Sequence, residues 1–268
     1  MNRSGLKQAS RQCLRDAAIS PTRMTLLFVL CSLLISIPCD VLSHVFECCI
    51  NELTGLGSIA ARNRYNLWTI VLVALADVLL LLWNAGYTAY AMRLSRGQRA
   101  DFDDFLTGMR LFGKVLCVEL LMFFYVWLWS LLFIVPGIIA AYRYRMSLYI
   151  QLDHPEYTAS ECIDLSKELT AGHKTELFTL DLSFLWYYIL TSASSVLMLL
   201  YAQNYLPLHG WSGFLIVYFS GVAADLVFSL LWMPYVQTTL AHAYNWLLSL
   251  HEAARPAQQP PVSGGPML

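Results

Sequence analysis

One stretch of the chain, residues 127–150, constrains the fold more than any other. Its sequence, WLWSLLFIVPGIIAAYRYRMSLYI, is an apolar run that is interrupted by Pro136-Gly137 and then carries Arg143 and Arg145. A Pro-Gly pair inside a long apolar run predicts a tight helical hairpin within a membrane, since backbone groups in lipid must be hydrogen bonded within the protein. Charge is costly in lipid, so we expect the two arginines to have a specific purpose there.

The composition favours an integral membrane protein. Hydrophobic residues make up 57% of the chain and charged residues 13%, whereas soluble domains carry about 25% charged residues. The mean hydropathy is +0.53. Crossing a bilayer takes about 20 apolar residues, and six segments are candidates, of which the fourth is short: residues 24–45, 67–91, 111–133, 137–150, 177–201 and 211–233.

The distribution of Lys and Arg predicts the topology. If the chain crosses six times with both termini in the cytoplasm, all of the 17 basic residues except Arg62 and Arg64 lie on the inner side or on the inner part of the hairpin. Five crossings would move several more of them outside, so the positive-inside rule favours six. The uncharged stretch 204–210 suits an external turn. We expect an all-α, polytopic transmembrane bundle in the cell membrane, with cytoplasmic N- and C-termini.

Three parts are expected along the chain. Residues 1–23 form a cytoplasmic basic segment, residues 24–252 form the transmembrane domain, and the Pro- and Gly-rich residues 253–268 form a disordered tail. In the first part, the basic residues recur every fourth position and form one stripe on a helix: Arg3, Lys7, Arg11 and Arg15. This stripe either rests on the anionic inner leaflet or is a topology signal on a solvated face.

Two further amphipathic helices are predicted on the cytoplasmic side. Residues 101–112 space their apolar side chains at helical intervals and begin with acidic residues, as in an interfacial helix. Residues 157–171 form a surface helix, because Thr158 and Glu161 match a capping box and Gly172 suits a C-terminal cap.

Several strings resemble a known family: FGKVL, LWSLLFIVPGIIAAYRYRMSLYI, ECIDLSKELTAGHKTELFTLDLSF and the opening NRSGLK. The chain is similar to the bacterial domain-of-unknown-function family 975, with the densest similarity over residues 112–184. The resemblance implies a polytopic membrane bundle, related to the membrane domain fused to some glycerophosphodiester phosphodiesterases. It implies no activity and no site residues.

Ionisable residues within the apolar segments are the candidate functional groups: Asp77, Glu119, Arg143, Arg145, Asp181 and Asp225. Counting depth along each helix predicts that Arg143 or Arg145 pairs with Asp77. It places the other three acids in a separate layer nearer the cytoplasm. The charges could line a polar cavity for a lipid head group, a small anion or protons. They could instead pair only to set the helix register.

No catalytic motif supports an enzyme, and no metal site, cofactor or nucleic-acid partner is expected. The expected partners are membrane lipids, with a protein partner or a second copy of the chain as further candidates. Two functions remain open. One is transport, or lipid and small-molecule handling, through the intramembrane charges. The alternative is a non-catalytic scaffold or regulator that binds a partner through the helix at 157–171.

Overall fold

The computed structural model describes residues 3–17, 20–53 and 59–254. Most of their side chains are also described, except within residues 40–69 and 191–218. From residue 255 onward, the predicted tail lies outside the described residues. All regular structure in the described ranges is helical. The α-helices are α1 (Arg3–Asp16), α2 (Pro21–Leu53), α3 (Ile59–Ser95), α4 (Thr107–Arg110), α5 (Phe112–Leu132), α6 (Ile134–Tyr144), α7 (Ser147–Asp153), α8 (Ala159–Leu169), α9 (Lys174–Leu182) and α10 (Leu185–Ala254), with a 3₁₀ helix at Phe102–Leu106.

Four helical segments in the described part are long and apolar enough to cross a membrane: Pro21–Cys39, Ile70–Ser95, Phe112–Leu132 and Phe219–Ala254. They overlap the first, second, third and sixth of the predicted segments. The fourth predicted segment is divided between α6 and α7. The fifth is divided between α9 and α10, and part of it lies where side chains are not described.

The helical stretch α10 folds back on itself. Trp186 and Trp232 contact each other edge to face, with ring centroids 4.2 Å apart, and Phe184 contacts Tyr235 at 5.7 Å. A straight helix would separate Trp186 from Trp232 by about 70 Å, at ~1.5 Å per residue. The stretch therefore consists of two antiparallel arms.

Two clusters of buried side chains hold the bundle together. The first joins α7, α8 and α9 to the second arm of α10 and contains Met146, Ile150, Cys162, Leu180 and Tyr244. The second joins α2, α3 and the 3₁₀ helix around stacked and tilted aromatic rings, which belong to Phe28, Trp83, Tyr87, Tyr90 and Phe105.

The segment predicted as an amphipathic helix at 101–112 is instead a 3₁₀ helix followed by the short α4. The reason is close backbone contact with α3. A Cβ on Gly86 would overlap the backbone of Phe105, and one on Gly108 would overlap the carbonyl of Leu82. Phe105 is fully buried. The segment therefore docks on α3 and does not present a continuous amphipathic face.

The basic helix α1 forms as predicted, but it docks on the bundle. Leu6 packs against the first cluster, and the Cys13 thiol donates a hydrogen bond to the Leu94 carbonyl at 2.6 Å. The Lys7 ammonium lies 4.5 Å from the centroid of the Phe184 ring. The apolar face of α1 is thus covered by protein, which corrects the expectation that this helix could rest by itself on the leaflet.

Candidate functional site

The central feature of the candidate site is a helix break between α6 and α7. The helical hydrogen-bond ladder is interrupted at Arg145 and Met146, where the chain makes a turn. The turn separates the 11 residues of α6 from the 7 residues of α7. The fourth predicted segment is therefore an interrupted helix. Membrane transporters commonly place their binding sites at such interruptions.

Hydroxyl groups of α8 form hydrogen bonds with backbone groups at the helix break. The Ser166 hydroxyl donates to the Arg143 carbonyl at 3.0 Å and accepts the Met146 N–H at 3.2 Å. The Thr170 hydroxyl lies 3.2 Å from the same carbonyl. Ser166 and Thr170 are one helical turn apart and both fully buried, so α8 stabilises the break from inside the bundle.

The capping box predicted for α8 is present. The Thr158 N–H donates to Glu161 at 2.7 Å, and the Glu161 N–H donates to the Thr158 hydroxyl at 3.4 Å. Gly172 follows with a φ of +80°, a left-handed conformation that glycine adopts without a steric penalty. These two ends set the position of Ser166 and Thr170 relative to the break.

The hairpin between α5 and α6 sets the other side of the site. A Cβ on Gly137 would overlap the Ser130 hydroxyl and would lie 3.0 Å from the Ser130 Cα. The two helices can approach this closely only because residue 137 has no side chain. Farther along the hairpin, Tyr125 and Tyr144 contact each other with centroids 5.6 Å apart.

Arg145 pairs with Asp181 of α9. The Tyr142 hydroxyl donates to the same carboxylate oxygen at 2.9 Å, and the Arg145 guanidinium lies 5.6 Å from the Tyr142 ring centroid. The Arg145 and Asp181 side chains are only 24% and 15% exposed. Asp181 Oδ1 is buried and has no hydrogen-bond partner among the described residues. The predicted pairing of an arginine with Asp77 is therefore wrong for Arg145.

Arg143 differs from Arg145. Its side chain is half-buried and, within the described part of the chain, its guanidinium makes no ion pair or hydrogen bond. It lies about 14 Å along α6 from the first residue of that helix. Exposed Ile139 precedes it by one turn.

Exposed apolar side chains occur on α6 and on two of the helices that pack against it, α5 and α9. They include Ile139 on α6, Leu120 on α5 and Phe178 on α9. The Arg143 cation therefore lies on a helix whose neighbours expose apolar side chains.

The remaining predicted residues are spread over three helices. Asp77 is exposed on α3 and Glu119 is half-buried on α5, and neither has an ion pair among the described residues. Asp225 is half-buried on α10. Of the six candidates, the structure joins only Arg145 and Asp181 by a direct contact that we can describe.

A second polar cluster, which the sequence did not indicate, lies where α3, α7 and α10 end. Arg96 binds Asp153 through two hydrogen bonds and Asn245 through a third at 3.1 Å, and the Tyr244 hydroxyl donates to Asp153 at 3.1 Å. Burial acts to raise the pKa of Asp153, but the hydrogen bonds and charge of Arg96 outweigh it, so this pKa lies below its usual value. The cluster is fully paired, which suits a structural role.

Sequence reasoning also missed Tyr142, Ser166 and Thr170. The signal for the last two was present, since Ser166 and Thr170 share the apolar face of an otherwise polar helix. Within the described residues, no three His, Cys, Asp or Glu side chains are placed to hold a metal ion.

Residues 131–251 match a family model described as "Protein of unknown function (DUF975)". The matched segment contains the helix break, α8, α9 and both arms of α10. No curated protein and no solved structure matches the chain significantly.

Proposed function

Since the chain belongs to the DUF975 family of proteins of unknown function, we propose its function from geometry: it is a membrane protein that handles acidic lipids. It holds their anionic head groups at Arg143. The observation that carries this proposal is the half-buried Arg143, which lies on a helix with exposed apolar side chains and has no acidic partner in the described part of the chain. Such a charge is costly in hydrocarbon unless an anion or water accompanies it.

The arrangement across the membrane follows from the helices. Six crossings are α2, α3, α5, the interrupted pair α6–α7, and the two arms of α10. Both termini then lie on the cytoplasmic side, because this placement keeps all basic residues but Arg62 and Arg64 on that side or on the inner part of the hairpin. The four long apolar helices and the contact between Trp186 and Trp232 support this arrangement.

The ion pair between Arg145 and Asp181 lies two residues from Arg143 in the sequence. Arg145 is already neutralised by Asp181, so it anchors α9 to the break and does not compete for the lipid. The Arg143 carbonyl is bound by α8, so the backbone at the break is held while the guanidinium stays open to a ligand. A phosphate diester or a carboxylate can accept two parallel hydrogen bonds from this group.

The proposal is tested by following lipid movement between leaflets. Purified protein is reconstituted into phosphatidylcholine vesicles that contain a trace of fluorescent phosphatidylglycerol, and a membrane-impermeant reductant bleaches the outer leaflet. With the wild-type protein, bleaching is expected to proceed into the inner-leaflet pool. Arg143→Gln should slow this phase about tenfold, the loss expected for one charge-assisted contact, and Arg143→Lys should slow it less.

The matched control is Arg110→Gln, which removes an exposed arginine that pairs with Asp103 away from the break. It should leave lipid movement unchanged. The proposal is wrong if Arg143→Gln moves the lipid as fast as the wild type. It is equally wrong if the wild type moves it no faster than protein-free vesicles.

One observation favours the second candidate, a scaffold that binds a partner through α8. The outer face of this helix stays uncovered, with Asp164 63% and Glu168 62% exposed. Reversing both charges should remove a cross-linked partner from protein in its own membrane and leave lipid movement intact. Arg143→Gln should have the opposite pair of effects.

A further inference from the structure

We infer that a groove between α1 and the second arm of α10 is a head-group site for an acidic phospholipid. The groove is lined by two arginines, two aromatic rings and two leucines: Arg11, Leu14, Arg15, Leu231, Trp232 and Tyr235. This site is separate from Arg143, and the inference does not depend on the proposed function.

The docking of α1 holds the first arginine in place. The Arg11 guanidinium lies 5.4 Å from the centroid of the Tyr235 ring. The preceding residue, Ser10, is fully buried and donates a hydrogen bond to the Tyr235 carbonyl at 3.4 Å. Arg11 is still exposed. Its position is therefore fixed by the bundle while its N–H groups face outward.

The charges of the groove have one sign. Arg15 lies one turn after Arg11 on α1 and is also exposed, and no carboxylate of the described residues lines the groove. Two guanidinium groups on one helix face favour a doubly accepting anion such as a phosphate.

The apolar half of the groove indicates a lipid and not a free anion. Leu231 is 65% exposed, and Trp232 stacks edge to face on Trp186, the second residue of α10. On the second arm of α10, the next exposed large apolar side chain after Leu231 is Leu250, and residues between them, such as Val236 and Leu240, are buried. Trp at the end of an apolar surface is typical of the membrane interface. A phospholipid bound here would place its phosphate at the arginines and its chains along Leu231.

The groove has a volume of about 320 Å³, against the ~30 Å³ that one water molecule occupies in the liquid. A larger cavity of about 510 Å³ lies along α1, between that helix and residues 97–100. It is lined by both Asp16 and Arg99, so its charge does not select an anion. The smaller groove is therefore the better site for an acidic head group.

The test uses native mass spectrometry of full-length protein in micelles doped with equal amounts of phosphatidylglycerol and phosphatidylcholine. All variants carry Arg143→Gln, so that lipid held at Arg143 does not contribute and the two proposals can fail separately. The parent should retain phosphatidylglycerol over phosphatidylcholine by about tenfold. Adding Arg11→Gln and Arg15→Gln should bring this ratio close to one.

The matched control is Arg3→Gln, which removes an exposed arginine from the same helix but outside the groove, and it should keep the preference. If the double variant fails to fold, the single Arg15→Gln variant replaces it and should also lower the preference for phosphatidylglycerol. Three results would overturn the inference: no preference in the parent, an unchanged preference in both groove variants, or displacement of the lipid by inorganic phosphate.

Discussion

Arg96 and Asp153 form a two-armed ion pair that joins the end of α3 to the end of α7, with N–O distances of 2.7 and 2.8 Å. The two side chains are 29% and 17% exposed. The pair holds the second half of the interrupted helix against the bundle. Its two residues are 57 positions apart in the sequence. The position of the helix break therefore depends on a contact outside it.

Replacing Asp153 by Asn should destabilise the bundle. Asn keeps the shape of the side chain but removes the charge that both arms of Arg96 bind, and hydrogen bonds to charged groups contribute about 1.5–3 kcal/mol each. We expect a loss of about 2 kcal/mol in the free energy of unfolding, measured by thermal or SDS titration in detergent. Asp164→Asn is the control, because Asp164 is exposed and its pair with Lys167 lies within one turn. Equal stability of the two variants would contradict this role of Asp153.

The contribution of Asp153 should depend on pH. Because the pKa of Asp153 is lowered in the folded protein, its stabilising effect is present above its ordinary pKa of about 3.9. The effect is lost as the pH falls through the folded value. The difference in unfolding free energy between the wild type and Asp153→Asn should be constant from about pH 5 to pH 8 and should shrink below about pH 4. A difference that is as large at pH 3 as at pH 7 would show that Asp153 acts through something other than its charge.

Gly137→Ala should disturb the hairpin of α5 and α6. The added methyl group would overlap the Ser130 hydroxyl, and overpacking of this kind costs about 1–3 kcal/mol. The same change at Gly113, in α5, meets nothing within 4 Å and should be neutral or slightly stabilising, because Ala favours helix over Gly. Unfolding of both variants in detergent measures this difference. If both variants are equally stable, the close approach of the hairpin does not determine its stability.

Ser166→Ala should weaken the helix break. It removes the acceptor of the Met146 N–H and one donor to the Arg143 carbonyl. A buried N–H without a partner costs about 1–3 kcal/mol. Hydrogen exchange should show faster opening at residues 143–147, and unfolding should occur at a lower temperature. Ser160→Ala, at an exposed position of the same helix, should change neither measurement.

Parts of this architecture could be read from local sequence. Thr158 and Glu161 form the predicted capping box. The predicted hairpin between α5 and α6 turns at Phe133, and Pro136-Gly137 lie just after it in the first turn of α6. Both depend on neighbouring residues only, so their patterns carry over directly into structure. Four of the six predicted segments likewise overlap helices that can cross a membrane.

The pairing of the charges could not be read in this way. Depth counted along a helix says nothing about rotation around its axis, and an error of one residue turns a side chain by about 100°. Arg145 also lies at the helix break, so its direction does not follow from α6 alone. The ion-pair partner of Arg145 is therefore Asp181 of α9 and not Asp77 of α3.

The sequence by itself determined the class of protein: apolar runs of membrane length, an interruption at Pro136-Gly137, and basic residues grouped between the runs. These are local or compositional properties. Only the tertiary structure decided that the hydroxyl groups of α8 form hydrogen bonds at the helix break and that α1 docks against Tyr235. It also decided that, among the described residues, Arg145 has an ion-pair partner while the Arg143 guanidinium has none. The physical reason is that each of these contacts joins residues far apart in the chain, and their geometry depends on how the helices pack and rotate together.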